Sequence, residues 1–336
     1  MQTIFTEYDS LCAYLAGKNI LFVHGKSLEL FTHLKDSLQT IHADFHHFTD
    51  FKPNPTLEDA ERAAESFARL ECDCVLAVGG GSAMDTAKFV KLRNPGATLA
   101  VIPTTAGSGS EATRFAVLYK DGRKLSITDD NIIPDAVMFD AGLLDFLPEY
   151  HRKSSALDAL SHALESFWSV NANEQSREFS RKALTEITRI LLDYPGAYDP
   201  AAMLASSHTA GKAINISQTT AGHAMCYKLT SIFGTAHGHS AALCNRVLFR
   251  WLAANTSIPV LNDIADAMGC DSPVSAAEKF DGIFAALGLN VPEATEQQID
   301  SLTESVNPER LRNFPASLDT HTIRELYTEI LNVKEE

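Results

Sequence analysis

The pattern of apolar and polar positions divides the chain in two. Up to about residue 148, short apolar runs alternate with stretches of helical spacing. Ile20-Leu21-Phe22-Val23 is a strand-like run that stops at His24-Gly25, and residues 27–38 then repeat apolar side chains at helical intervals. A weaker strand pattern lies near residues 43–48. Residues 57–70 read as a helix that begins after Pro53-Asn54-Pro55-Thr56, with Thr56 as the candidate N-cap. Cys74-Val75-Leu76-Ala77-Val78 and Leu99-Ala100-Val101-Ile102 are apolar runs of buried strands. Strands alternating with helices predict a parallel sheet with helices on both faces. Residues 117–127, with Asp121-Gly122 between two strand-like runs, predict a hairpin. From about residue 150 the strand signals vanish. Long helical patterns take over, broken at Pro195-Gly196 and at Gly234. The expected organisation is an α/β domain over residues 1–148 and an all-helical domain over residues 149–336.

Composition narrows the partners. The chain has 336 residues, enough for two domains with their own cores, and a net charge of −15. That charge argues against a nucleic-acid surface. No run approaches the ~18 apolar residues of a membrane span. The first ten residues, MQTIFTEYDS, lack the basic and apolar regions of a signal peptide. Six cysteines show no framework spacing, and Cys72-x-Cys74 has no second pair to complete a zinc site. A reduced, cytoplasmic protein is expected.

The helical half carries candidate chemistry. Asp158 and His162 are spaced i, i+4 within a stretch whose apolar side is Ala156, Leu157, Ala159, Leu160, Ala163, Leu164 and Phe167. On a helix both polar side chains leave the same face, one turn apart. By themselves they also fit a plain hydrogen-bonded pair. His223 and His237 add two imidazoles downstream. One carboxylate and three imidazoles can hold a divalent metal with a position left open, as catalytic sites do. Fe²⁺ and Zn²⁺ both suit such ligands.

The first half carries a candidate cofactor edge. Gly79-Gly80-Gly81-Ser82 follows one strand and opens a helix, so its backbone N–H groups can face a pyrophosphate. The spacing is not G-x-G-x-x-G, and alone it would be a weak signal. Pro103-Thr104-Thr105-Ala106-Gly107-Ser108-Gly109-Ser110-Glu111 follows the next strand with hydroxyls and bare backbone. Ligands of open α/β sheets bind at the carboxyl ends of strands, where both loops lie. The expected set is Gly79, Gly80, Gly81, Ser82, Asp85, Thr104, Thr105 and Ser108, with Asn54 and Lys124 beside them. In dinucleotide folds an acid after an early strand contacts the ribose. Here Gly25, Lys26 and Ser27 stand there instead, so NADPH is expected to serve at least as well as NADH.

In order along the chain these motifs resemble the iron-containing (group III) alcohol dehydrogenases, a family that shares its fold with glycerol dehydrogenase and dehydroquinate synthase. The matching stretches are Gly79 to Lys88, Ile102 to Glu111, Asp158 to Glu165, and the pair His223 and His237-Gly238. The resemblance implies a Rossmann-like nucleotide-binding domain ahead of an all-α domain. It also implies NADH or NADPH, one divalent metal held by Asp158, His162, His223 and His237, and a homodimer. One departure is Tyr227, where the family often has a histidine four residues after the third ligand. A tyrosine can still pass a proton. The C-terminal region is also somewhat shorter than usual, which would leave the site more open.

The stretches His223 to Ser231, His237-Gly238-His239 and Val306 to Pro315 are similar to one branch, the reductases of phosphonoacetaldehyde. That resemblance implies an aldehyde with an anionic end, reduced to 2-hydroxyethylphosphonate. Tyr227, Lys228 and His239 are the expected catalytic groups, and Arg114, Lys228 and His239 the expected anion contacts. Three other readings stay open: a dehydrogenase of another small alcohol or polyol, a lyase of the dehydroquinate synthase type, and a metal-free homologue without activity.

Overall fold

The structure, a computed structural model, describes residues 2–194, 196 and 198–333. The side chains of Ser27 and Leu30 lie outside that set, as does Pro195, one of the expected helix breaks. The described residues form two units, one ending at Leu147 and the other starting at Pro148.

The first unit has strands β1 (Thr3–Phe5), β2 (Asn19–His24), β3 (Asp44–Phe48), β4 (Cys74–Gly79), β5 (Thr98–Pro103), β6 (Phe115–Lys120), β7 (Arg123–Thr128) and β8 (Ala136–Met138). Its helices are α1 (Tyr8–Leu15), α2 (Thr32–Gln39), α3 (Leu57–Arg69) and α4 (Gly81–Arg93). Six strands pair in parallel in the order β1-β8-β5-β4-β2-β3. Successive side chains of a strand face opposite sides. Val75 and Ala77 of β4 therefore join Ala60, Ala63 and Phe67 of α3 and Met84 and Val90 of α4. Leu76 and Val78 of the same strand join Leu11 of α1 and Leu34 and Leu38 of α2. Both faces are covered, which is why β4 reads as one unbroken apolar run.

Local chemistry sets the element ends. The Thr56 hydroxyl accepts from the Asp59 N–H at 3.1 Å while the Asp59 carboxylate accepts from the Thr56 N–H at 3.1 Å, a capping box that starts α3. Asp121 and Gly122 take φ of 50° and 71°, so the β6–β7 hairpin turns on two left-handed residues. Two details depart from the expected pattern. β1 and β8 have only three residues each, too few to show a period. The helical stretch at residues 27–38 divides into a 3₁₀ turn, Lys26–Leu30, and α2, because Phe31 leaves helical backbone.

The second unit consists of α5 (Glu149–Trp168), α6 (Glu174–Leu192), α7 (Pro200–Ser217), α8 (Ala221–Phe233), α9 (His237–Asn255), α10 (Val260–Ala267), α11 (Pro273–Ala286), α12 (Glu296–Ser305), α13 (Pro308–Leu311) and α14 (Thr320–Ile330). The expected all-helical domain needs one correction. Two-residue strands β9 (Glu293–Ala294) and β10 (Asn332–Val333) pair in parallel, again too short to leave a pattern. α5 lies at the centre, packed by α6, α7 and α9, and residues 156–168 are buried without a break. Gly234 ends α8 in the left-handed conformation, φ 65°. Among the described residues no helix is long and apolar enough to cross a membrane.

Candidate active site

Three polar residues of α5 share one face at i, i+4 and i+7: Asp158, His162 and Glu165, all buried. α8 brings His223 against them, and His237 is the first residue of α9. The ligand atoms of Asp158, His162 and His223 lie within 4.8 Å of one another. His223 Nε2 is 3.5 Å from Asp158 Oδ1, and His237 Nε2 is 3.9 Å from the same oxygen. The imidazoles of His162 and His223 stack at 4.6 Å, and those of His223 and His237 lie 5.3 Å apart.

A buried polar atom without a partner is costly, so two in one cluster call for an explanation. Asp158 Oδ1 and His223 Nε2 are buried and make no hydrogen bond. Both are atoms that face the centre of the cluster. A divalent cation between them would satisfy the carboxylate and the imidazole lone pair together. Burial opposes ionisation of Asp158, but His162, His237 and His223 outweigh it and hold the carboxyl below its ordinary range.

A second layer holds the imidazole in place. His223 Nδ1 donates to Glu165 Oε1 at 2.5 Å, which leaves the lone pair on Nε2. Glu165 is fixed in turn by Asn245 Nδ2 at 2.7 Å and by the N–H and hydroxyl of Thr220 at 2.5 and 2.8 Å. Trp168 Nε1 donates to that hydroxyl at 2.9 Å. Burial works against the Glu165 charge, yet His223 and these donors pull its carboxyl down to about 2. Two glycines permit the close packing. A Cβ on Gly222 would lie 2.2 Å from Asn245 Oδ1, and one on Gly238 would lie 2.1 Å from the Ser154 carbonyl oxygen.

One side of the cluster is accessible. The His237 side chain is 42% exposed, in contrast to the buried Asp158 and His223. Tyr227, one turn after His223, stacks on His237 with centroids 5.7 Å apart and planes 17° from parallel. Arg310 of α13 donates from Nη1 to Tyr227 Oη at 3.0 Å and lies over the ring, 5.0 Å from its centroid. Burial raises the Tyr227 hydroxyl above its ordinary range. The sequence reading gave no role to Glu165 or Arg310. The i+7 spacing of Glu165 from Asp158 was a usable signal, whereas Arg310 lies in the stretch Val306 to Pro315, which resembled one branch but carried no spacing that ties it to Tyr227.

The expected anion contacts do not assemble. Lys228 is exposed, and its ammonium makes no hydrogen bond or ion pair within the described residues. One residue after Tyr227 on a helix is about 100° round, which turns it off the site face. His239 is buried with Nδ1 3.2 Å from the Tyr150 hydroxyl. It lines a different cavity of about 440 Å³ with Phe233, Thr235, Asn290 and Pro292, which none of the four clustered residues borders. Arg114, on the first unit, pairs with Asp130 at 3.1 Å.

On the first unit, the expected cofactor residues collect at the carboxyl ends of three strands. Gly25, Lys26 and Ser27 follow β2, Gly79 ends β4 and Gly80 to Ser82 follow it, and Thr104 to Ser108 follow β5. The chain runs from β2 outward to β3, then back across to β4. The β2–β4 boundary is therefore the topological switch point where such sheets bind ligands. Gly80 caps α4 with no side-chain bond, leaving the first N–H groups of the helix to other acceptors. A Cβ on Gly79 would lie 2.7 Å from the Ala83 Cβ, and one on Gly80 3.3 Å from Thr105. Asn54, at φ 57°, donates its N–H to the Ser82 hydroxyl at 3.2 Å. Lys124 sits on β7 of the hairpin. Asp85, the other expected residue on α4, holds neighbouring segments together. Its half-buried carboxylate accepts from the Ser110 hydroxyl at 2.9 Å and the Val117 N–H at 3.0 Å, tying loop and hairpin to α4. Lys88 is fully buried, donating to Thr113 Oγ1 and the Phe115 carbonyl.

Comparison with known proteins bears on both units. Residues 3–141 match the family model described as iron-containing alcohol dehydrogenase. Residues 153–322 match the model for the C-terminal part of the Fe-containing alcohol dehydrogenase family. The chain is 30% identical over 328 residues to a phosphonoacetaldehyde reductase of Streptomyces viridochromogenes, covering 84% of this chain and 82% of that one. It is 31% identical over 327 residues to long-chain-alcohol dehydrogenase 1 of Geobacillus thermodenitrificans, covering 84% and 81%. Among solved structures, the sulfoacetaldehyde reductase of Bifidobacterium kashiwanohense in complex with NAD⁺ superposes with a TM-score of 0.86 at 24% identity, covering 98% and 96%.

Proposed function

The chain belongs to the iron-containing alcohol dehydrogenase family, and from that premise we propose that it reduces phosphonoacetaldehyde to 2-hydroxyethylphosphonate. It is an alcohol/aldehyde oxidoreductase, and NAD(H) with a divalent metal fits its residues. The substrate is our reading, supported by the Streptomyces relative and by the cation at Arg310.

The observation that carries the metal assignment is the pair of buried atoms without a hydrogen bond, Asp158 Oδ1 and His223 Nε2, 3.5 Å apart in a cluster whose ligand atoms lie within 4.8 Å of one another. Asp158, His162, His223 and His237 would hold Fe²⁺ or Zn²⁺. A bound metal of this kind polarises a carbonyl and stabilises the developing alkoxide. The nicotinamide cofactor, which supplies the hydride, would lie along Gly79–Ser82 and Thr104–Ser108. Gly79, Gly80 and Gly81 carry no Cβ where the chain enters α4, and no side chain caps the helix, which fits a pyrophosphate there.

The remaining work belongs to side chains. Glu165 keeps His223 in the tautomer that offers Nε2. Tyr227 remains a protonated hydroxyl because burial raises it. Arg310 donates to Tyr227 Oη, so the tyrosine's own hydrogen is directed to another acceptor. Tyr227 is thus the proton donor to the product oxygen, in the place of the family's more usual histidine.

The test is an aldehyde panel that includes phosphonoacetaldehyde and neutral aldehydes, with NADH and NADPH separately and Fe²⁺ or Zn²⁺ supplied. Steady consumption of reduced cofactor with the phosphonate aldehyde as preferred substrate is expected. Turnover without net cofactor consumption would mean a lyase of the dehydroquinate synthase type, which regenerates its own cofactor. Preference for a neutral aldehyde would leave the oxidoreductase and remove the substrate.

A further inference from the structure

We propose that Arg310 receives the anionic end of the substrate, so that specificity for a phosphonate is set from α13; this rests on the substrate reading above. The need is electrostatic. The chain carries a net charge of −15, and the site itself contains two buried carboxylates, Asp158 and Glu165. A dianionic head brought there requires a fixed cation nearby. Of the cations considered, Lys228 is exposed and turned away, and Arg114 is engaged with Asp130. Arg310 is one aromatic ring removed from His237, through Tyr227, on the exposed side of the cluster. Only a two-carbon spacer separates carbonyl oxygen from phosphonate in the substrate, so the cation has to be that close.

The position is built, not incidental. α13 is only four residues long, so its position depends on contacts outside the helix. Asn313 supplies them. Its Nδ2 donates to the carbonyls of Ser217 and Thr219 at 2.8 and 3.1 Å, and its Oδ1 accepts from the Ser169 hydroxyl at 2.8 Å and the Asn171 N–H at 3.0 Å. Phe314 packs on Trp168, whose indole bonds the same Thr220 that holds Glu165. The segment bearing Arg310 is therefore locked to the loop that positions His223. A guanidinium is a rigid fork of five donors, matched to phosphonate oxygens, and the bond to Tyr227 fixes its plane.

The experiment compares phosphonoacetaldehyde with propanal for the metal-loaded wild type, Arg310→Met, Arg310→Lys and Tyr227→Phe. The quantity read is the ratio of kcat/KM for the two substrates. Methylphosphonate binding by calorimetry gives a readout independent of turnover. Arg310→Met should lower the ratio about 10- to 100-fold and abolish methylphosphonate binding, as loss of charge-assisted bonds to an anion predicts. Arg310→Lys should recover part of both. Tyr227→Phe should lower turnover of both substrates and, by freeing the guanidinium plane, lower the ratio less than Arg310→Met does. An unchanged ratio in Arg310→Met, with the wild type preferring the phosphonate, would overturn the role of Arg310 alone. A wild type that prefers propanal would overturn the substrate reading and this inference together, and would be seen before any variant is made.

Discussion

His223 Nδ1 donates to Glu165 Oε1 across 2.5 Å, and this leaves His223 Nε2 facing Asp158 Oδ1 at 3.5 Å. A residue that never reaches the cluster centre thus decides which nitrogen of His223 faces it. Replacing Glu165 by Gln keeps the shape and removes the charge. Metal affinity should fall about 10- to 100-fold, the usual cost of losing such a supporting carboxylate. Metal content after dialysis against graded chelator is the measurement, and unchanged retention would show that the hydrogen bond is incidental.

The same carboxylate gives an acid dependence. Its value in the fold is depressed from 4.5 to about 2, so the stability it contributes is fully present above pH 4.5. That contribution is lost as pH falls from 4.5 towards 2. Glu165→Gln should therefore lose less stability than the wild type between pH 5 and pH 3, read as the shift in urea midpoint. Parallel loss in the two proteins would contradict the depressed value.

His237 offers the cleanest test of the metal. It begins α9 and is 42% exposed, with its ring stacked on Tyr227 at the open side of the cluster and not in the core. His237→Ala should bring bound metal and activity to background while the thermal midpoint in chelator stays that of the stripped wild type. His162→Ala should also lose the metal, but its buried ring leaves a cavity against His223, so stability should fall as well. Full activity of a metal-depleted His237→Ala protein would end the assignment.

Gly238 and Gly222 test how closely the helices must approach. A methyl on Gly238 meets backbone, the Ser154 carbonyl at 2.1 Å and Asp158 Cβ at 2.5 Å, so α9 must move away from α5. Gly238→Ala should cost about 1–3 kcal/mol or more as an overpacked contact. A methyl on Gly222 meets the Asn245 side chain instead, and should displace it from Glu165. Gly222→Ala should then weaken metal retention more than it weakens the fold. Denaturant unfolding with and without metal separates the two effects.

How far the sequence announced all this depends on length and separation. β4 and β5 were legible because burial on both faces makes continuous apolar runs, and α3 because Thr56 begins it. β1, β8, β9 and β10 have two or three residues each, and no periodicity exists at that length. The grouping of Asp158 with His162 follows from helical spacing, since one helix carries both. Arg310 reaches Tyr227 across 83 positions of sequence, and the anchor Asn313 reaches Ser169 across 144. Such contacts are made by tertiary packing, so charge near the motif pointed to Lys228, one residue from Tyr227 but on another face of α8.

The last expectation concerns the choice of cofactor. At the carboxyl end of β2, beside the switch point, the chain reads His24-Gly25-Lys26 before the 3₁₀ turn settles. An acid in this place would accept from a ribose hydroxyl and repel a 2′-phosphate. The nearest one, Glu29, is engaged with Lys35 at 2.9 Å. His24 is turned inward, bonded to His47 at 2.9 Å, and leaves the tip to Gly25 and the exposed Lys26. Gly25 adds no bulk where the phosphate would lie, and Lys26 supplies a charge for it. NADPH should therefore be used at least as well as NADH. Lys26→Asp should reverse the order by repelling the 2′-phosphate, while affecting both cofactors equally would place Lys26 away from the ribose. The measurement is kcat/KM for each cofactor with one aldehyde. A wild-type preference for NADH above about tenfold, or 1.4 kcal/mol, would count against this reading of the β2 tip.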